Sequence, residues 1–156
     1  MRPTLLNSCA SAATAAEARF RIDAKPGLRT ERATRVVALD PGAAEILAPL
    51  ADQPWLGARF LFDAGTGLTG ELADADFVLM VATNGEGAAA AAATGDVCVL
   101  HGIMTAGLVL TPGSEEVVGV GGDVGAAVSA LRPHSRVLLV SRDRRDAGGL
   151  LTALGA

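Results

Sequence analysis

A short glycine-containing loop is the stretch of this sequence best suited to binding chemistry. It reads TNGEG from Thr83 to Gly87 and lies between the apolar run DFVLMVA and a run of alanines. Gly85 and Gly87 lack side chains that would block an approaching phosphate, and a following helix offers free N–H groups and the positive end of its dipole. The loop therefore predicts a phosphate-binding site with Thr83, Asn84, Gly85 and Gly87 as candidate ligands.

Glu86 supports a competing interpretation of the same loop. A carboxylate at a helix start satisfies the free N–H donors and repels an anion. In this alternative Asn84 and Gly85 form the turn between strand and helix, and Glu86 complements the helix dipole. The sequence leaves both interpretations open.

A second candidate position follows the first apolar run, RVVALD, where the chain continues as PGAAE. Gly42 is the one glycine there that matches a dinucleotide-binding turn. Asp63 lies 21 residues further on, near the usual place of the acid that binds a ribose in such domains. Asp40 and Asp63 could also meet at adjacent strand ends and hold a cation or a ribose, or they are simply solvated carboxylates.

The sequence shows few of the residue patterns that catalytic or metal-binding sites require. Neither His101 nor His134 is followed three or four positions later by a metal-binding residue, so no metal site is predicted. Ser141 with His101 as its base would need a G-x-S-x-G elbow, which is missing. Cys98, inside VCVL, is interpreted as a small buried apolar residue. No catalytic residue is assigned, and whether the protein is an enzyme stays open.

Composition narrows the class of protein. The 156 residues suffice for one domain, and the net charge of −4, spread along the chain, argues against a nucleic-acid partner. No run approaches the roughly 18 apolar residues of a membrane span, and no signal peptide is recognised. A cytoplasmic, homo-oligomeric protein is therefore expected, whose partner is a nucleotide or another phosphorylated small molecule.

Apolar runs that alternate with helical segments define the predicted fold. Such alternation predicts a three-layer Rossmann-like α/β domain with a mostly parallel sheet, spanning residues 35–156. Residues 1–34 are predicted to form a helix near 11–21 and a charged connector, either part of the same domain or an arm that packs on another subunit. Strands are predicted at 35–40, 58–63, 77–82, 106–110 and 136–140, and helices at 41–52, 68–75, after 86, at 123–134 and at 146–156.

Three local features carry more specific predictions. Thr69 is expected to cap the helix of LTGELADA. Gly95 is expected to interrupt or end the alanine helix. VCVLHG, which contains Val97 to His101, has the composition of a strand or of a last helical turn closed by Gly102, and the helix end is favoured.

Several stretches together resemble the nucleotide-binding domain of the FtsZ and tubulin family in contracted form. They are ADADFVLMVATNGEGAAAAAAT for the strand and signature loop, GIMTAGLVLTPG and LRPHSRVLLVSRDRR for later strands and their exits, and RVVALDPGAAEILAPLAD for the first strand, loop and helix. The family wraps phosphates with a run of glycines and threonines, of which only Thr83, Gly85 and Gly87 are present here. The resemblance implies the fold and a nucleotide ligand, without implying hydrolysis.

Two functions of different classes follow from the sequence. The first is a small α/β protein that binds a nucleotide or other phosphorylated ligand at the carboxyl ends of its strands. The alternative is a non-catalytic homo-oligomeric scaffold or regulatory subunit whose alanine-rich faces associate without a small ligand.

Overall fold

A five-stranded parallel sheet forms the centre of the described chain. The structure is a computed structural model that describes residues 32–111 and 123–156. All neighbouring strands pair in parallel, in the order β2-β1-β3-β4-β5. The strands are β1 Thr34–Ala38, β2 Ala58–Leu61, β3 Phe77–Ala82, β4 Met104–Leu110 and β5 Val137–Ser141. The predicted three-layer Rossmann-like α/β class is confirmed.

Helices connect successive strands and cover both faces of the sheet. They are α1 Pro41–Ala51, α2 Leu68–Leu72, α3 Ala88–His101, α4 Asp123–Leu131 with a following 3₁₀ turn Arg132–His134, and α5 Arg145–Leu154. Buried residues of α1 and α5 cluster on one face, and those of α2, α3 and α4 cluster on the other. This is the flavodoxin-like form of the doubly wound topology, in which the strand order reverses between β1 and β3.

Aliphatic side chains fill both layers of the core. Every residue of β1 and β3 is buried, as expected for the central strands of a parallel sheet. Val36 and Leu79 point to the face of α1, whereas Val37 and Met80 point to the opposite face. Helices therefore cover β1 and β3 on both sides.

The course of α3 corrects the prediction for Gly95. The helix continues through Gly95 to His101 and ends at Gly102, whose φ of 65° is left-handed. The helix end favoured for Val97 to His101 is therefore confirmed, whereas the predicted interruption at Gly95 is wrong. A single glycine weakens a helix by about 1 kcal/mol relative to alanine, which tertiary packing can offset.

Several element boundaries also differ from the predictions. Gly67, with a φ of 93°, is the N-cap of α2 and no side chain caps that helix, so the prediction for Thr69 is wrong. Strand β4 begins earlier than predicted, at Met104, and α4 gives way to the 3₁₀ turn after Leu131. Pro133 lies inside this tighter turn.

The predicted helix near residues 11–21 and its connector lie outside the described residues. The same holds for residues 112–122, PGSEEVVGVGG, whose composition predicts a loop or a short piece of hairpin. Within residues 32–111 and 123–156, no helix is long and apolar enough to cross a membrane.

Candidate functional site

Asp40, at the exit of β1, begins α1. Its backbone is extended, with a φ of −142°, and its Oδ1 accepts a hydrogen bond from the N–H of Ala43 at 2.8 Å. Pro41 occupies the first helical position, where a missing N–H costs nothing. The sequence D-P-G is therefore a helix start with a side-chain cap.

The same carboxylate also fixes the exit of β3. Its Oδ2 accepts from the N–H of Thr83 at 2.7 Å and from that of Asn84 at 3.3 Å, and its Oδ1 accepts from the Thr83 hydroxyl at 2.6 Å. Asp40 is only 5% exposed. Because both of its oxygens are engaged with the protein, Asp40 acts as a clamp between two loops and has little capacity left for a cation.

The glycines of these loops are required by close packing. A Cβ on Gly42 would lie 2.4 Å from Oγ1 of Thr83, and one on Gly87 would lie 2.6 Å from the carbonyl oxygen of Leu39. A Cβ on Gly85 would lie 2.6 Å from the Cβ of Ala126 in α4. The room that these glycines provide is therefore filled by neighbouring protein atoms.

The turn formed by Asn84 explains the middle of the predicted loop. Oδ1 of Asn84 accepts a hydrogen bond from the N–H of Glu86 at 2.8 Å, which is an Asx-turn. Glu86 is exposed and precedes Gly87, the N-cap of α3, so it stands outside the first turn of the helix. The geometry favours a structural turn at Asn84 and Gly85.

A cleft of about 430 Å³ lies at the carboxyl edge of the sheet beside this clamp. Its walls come from the exits of β1 and β2 and from the first turns of α3, and include Asp40, Phe62, Asp63, Ala89 and Ala90. Of the candidates predicted from sequence, Asp63 lines the cleft. Gly42 and the residues from Thr83 to Gly87 do not line it. Asp40 and Asp63 do share this cleft, as their positions at strand ends suggested.

The amino end of α3 faces the cleft without a side-chain cap. Gly87 is the N-cap and has no side chain to accept a hydrogen bond. The first helical bond runs from the N–H of Ala91 to the carbonyl of Gly87, and the N–H of Ala88 contacts the carbonyl of Gly85 at 3.4 Å. Within the described residues, the N–H groups of Ala89 and Ala90 donate to no acceptor. These two donors at the start of α3 therefore remain available for a ligand.

Phe62 and Asp63 form the opposite wall. Oδ1 of Asp63 accepts from the N–H of Gly65 at 2.8 Å, which holds the carboxylate in an Asx-turn while the side chain stays exposed. Phe62 is 47% exposed and stacks on Phe60, with ring centroids 6.5 Å apart. This wall offers a hydrogen-bond acceptor next to a flat aromatic surface.

Sequence reasoning missed Phe62 and the alanines of α3 as parts of this site. Phe62 carried a usable signal, because it is one of four phenylalanines in a chain without tyrosine and directly precedes Asp63. Ala89 and Ala90 carried none, because nothing in a run of alanines distinguishes the positions that face a cleft.

The remaining candidates do not form a catalytic group. His101 ends α3 at the amino edge of the sheet, whereas Ser141 ends β5 at the carboxyl edge and donates its hydroxyl to Asp146. Cys98 is buried, and this burial raises the pKa of its thiol to about 11, so the thiol is neutral near pH 7. In the part of the chain that the structure describes, no group of three or more His, Cys, Asp or Glu side chains could hold a metal ion.

Fold and site define a doubly wound α/β protein with a cleft at the carboxyl edge of its sheet. No protein-family model matches the chain, and no curated protein matches it either. The function is therefore inferred from the cleft itself.

Proposed function

We propose that this protein binds a nucleotide or a similar phosphorylated small molecule in the cleft between the exits of β1 and β2 and the start of α3. The observation that carries the proposal is the uncapped amino end of α3, whose residues Ala89 and Ala90 line this cleft. Helix starts of this kind bind anions through their free donors and the positive end of the helix dipole.

The position and size of the cleft support the same function. In doubly wound sheets, ligands bind beyond the carboxyl ends of the strands near the point where the strand order reverses. Here that point lies between β1 and β3. The volume of about 430 Å³ falls within the range of small-molecule sites, roughly 300–1,000 Å³.

The two walls suggest an orientation for the ligand. A phosphate group would lie at Ala89 and Ala90, where amide donors meet it, and no basic side chain lines the cleft. Asp63 would accept hydrogen bonds from sugar hydroxyls, and Phe62 would offer its ring to a base. The negative charge of Asp63 would keep the phosphate at the helix end. The resemblance to the FtsZ and tubulin domain points to the same class of ligand.

The test is a thermal-shift screen with nucleoside mono-, di- and triphosphates, with inorganic phosphate for comparison. A ligand at 100 times its dissociation constant adds about 2.7 kcal/mol of stability, which should raise Tm by about 5 to 10 °C in a chain of this size. Failure of every nucleotide to shift Tm would reject the proposal.

Variants of the cleft make this test specific. Asp63→Asn keeps the turn but removes the charge, and we expect it to weaken nucleotide binding about tenfold. Asp143→Asn is the matched control, because Asp143 forms the same kind of turn with the N–H of Arg145 at the exit of β5. Ala93→Leu, which fills the cleft from an exposed helical position, should abolish binding, whereas Ala153→Leu in α5 should not.

A second candidate, the homo-oligomeric scaffold, is favoured by the exposed apolar side chains of edge strand β5. Val137, Leu139 and Val140 are 55%, 40% and 54% exposed. Exposed edge strands with apolar side chains are prone to pair with another chain. Light scattering on the wild type and on Val140→Lys tests this: a dimer that Val140→Lys dissociates, without any nucleotide shift, would favour the scaffold.

A further inference from the structure

A second cavity lies at the opposite end of the sheet from the proposed nucleotide cleft. It measures about 470 Å³ and is formed by the carboxyl end of α3, the start of β4 and the junction between the 3₁₀ turn and β5. Its size is sufficient for a small molecule. It shares no residue with the cleft around Asp63.

Gly95, inside α3, allows His134 to pack close to the helix and form one wall of this cavity. A Cβ on Gly95 would lie 2.6 Å from Nδ1 of His134 and 2.7 Å from its Cβ, so the imidazole packs directly on the helix. The main chain of His134 is held as well, because its carbonyl accepts from the Thr105 hydroxyl at 2.8 Å. A mid-helix glycine costs about 1 kcal/mol relative to alanine. At this position it allows the ring of His134 to form part of the cavity wall.

Arg136 gives the cavity a positive rim. Its side chain is exposed, and its N–H donates to the carbonyl of Thr105 at 3.1 Å, which fixes the start of β5 beside β4. Within residues 32–111 and 123–156, one ion pair is formed, between Arg35 and Asp74. No described carboxylate therefore neutralises the charge of Arg136. No acidic residue lines the cavity. In a protein with a net charge of −4, this concave site is locally cationic.

The other walls are apolar, and one polar atom between them is unsatisfied. Val99, Ile103 and Met104 line the cavity. Oγ of Ser135, another lining residue, is buried and has no hydrogen-bond partner. This Oγ lies against β4, 2.7 Å from where a Cβ on Gly107 would be, so it faces the sheet and not the cavity. Half of the site is thus suited to an apolar body and half to an anionic group.

We propose that this cavity binds a small organic carboxylate with an apolar tail, with the carboxylate at Arg136 and His134 and the tail against Val99, Ile103 and Met104. A carboxylate fits better than inorganic phosphate, because phosphate would leave the apolar walls without a partner. Arginine binds carboxylates with two parallel N–H donors. The site lies beyond the proposed nucleotide cleft and does not depend on it.

The probe for this proposal is octanoate, compared with octanamide, which has the same tail without the charge. Titration would be followed by amide chemical shifts in ¹H–¹⁵N spectra of the full chain. We expect saturable shifts at Gly102, Ser135 and Arg136 with octanoate and at least tenfold weaker binding of octanamide. Equal binding of the two probes, or shifts with inorganic phosphate but not with octanoate, would overturn the proposal.

Two pairs of variants separate recognition from loss of folding. Arg136→Gln should weaken octanoate binding about tenfold, while Arg132→Gln, an exposed neighbour outside the cavity lining, should leave it unchanged. Val99 is 82% exposed on α3, so substitutions there should not disturb the core. Val99→Glu should abolish binding because it places a charge against the apolar tail of the ligand, whereas Val99→Gln, which is uncharged, should retain more of it. Unchanged affinity in both Arg136→Gln and Val99→Glu would refute the site.

Discussion

The two ends of the parallel sheet are held together in different ways. At the carboxyl end, a single buried carboxylate, Asp40, joins the start of α1 to the exit of β3 through bonds to main-chain N–H groups and to the Thr83 hydroxyl. At the amino end, the ring of His134 packs on Gly95, and Thr105 holds the connector by donating its hydroxyl to the carbonyl of His134 and accepting from the N–H of Arg136. The same end also carries the Arg35–Asp74 ion pair and a bond from the N–H of Ala33 to the Asp76 carboxylate.

The difference determines how each end should respond to change. Main-chain atoms at the carboxyl end cannot rotate away from an added group or find new partners. A side chain such as that of His134 can move to another rotamer. The loops between β1 and β3 at the carboxyl end are therefore expected to be more sensitive to an added methyl group than the contact between Gly95 and His134 at the amino end.

The largest effect is expected from Asp40→Ala. The substitution removes every bond of the clamp and leaves buried N–H donors without acceptors, which costs about 3 kcal/mol of unfolding free energy or more. Urea denaturation measures this loss. Asp143→Ala, which breaks an exposed turn at the exit of β5, should cost no more than about 1 kcal/mol. Similar losses in the two variants would contradict the proposed difference between a buried clamp and a solvated turn.

Substitution of glycine by alanine compares the two ends directly. Gly87→Ala places a methyl group against the main chain of Leu39 and should cost about 2 kcal/mol. Gly95→Ala places one against the movable ring of His134 and gains helix propensity, so its net cost should be below about 1 kcal/mol. Denaturation midpoints at constant m-value give both numbers.

The control for these variants is Gly149→Ala. Gly149 lies within α5 with nothing near the added methyl group, so alanine should stabilise the protein by about 0.5–1 kcal/mol. A larger cost for Gly95→Ala than for Gly87→Ala would reverse the expected ranking of the two ends.

The effect that depends on pH concerns Cys98, which lines the amino-end cavity. Burial raises the pKa of its thiol from 9.0 to about 11. Between these values the unfolded chain releases the thiol proton before the folded chain does, so stability should fall as pH rises from 9 to 11, by about 1 to 2 kcal/mol. Denaturation at pH 8 and at pH 11 measures the change.

Cys98→Ala is the matching control, because it retains every other titrating group. Its stability at pH 8 should be lower than that of the wild type, but the loss between pH 9 and 11 should be smaller. The same pH dependence in the wild type and in Cys98→Ala would mean that the thiol does not titrate as its burial implies.

The strands and their direction were predictable from sequence because each apolar run is bounded by turn residues and separated by a helical segment. DFVLMVA predicted β3 with its exact bounds, whereas RVVALD predicted a strand at 35–40 and β1 is Thr34–Ala38. Boundaries set by packing or by backbone geometry were less predictable. Gly95 has the sequence pattern of a helix end, but His134 lies on it, 39 residues away along the chain.

The candidate site was predictable only in part. Asp63 was found from its position after β2, and it does line the cleft. The glycines of TNGEG matched a phosphate loop by composition, but their lack of side chains accommodates Leu39 and Ala126. Composition shows that backbone approach is possible at a glycine, and only the fold shows which atoms make the approach.

The sequence by itself determined the three layers of this protein. Apolar runs alternate with helical segments, and a parallel sheet covered by helices on both faces buries the apolar side chains of both. Tertiary structure decided what the polar and small residues do. Asp40 joins two loops because β1 and β3 are neighbours in the sheet. Gly95 is in contact with His134 because the 3₁₀ turn packs against α3. Both outcomes depend on contacts between distant residues, which local sequence does not encode.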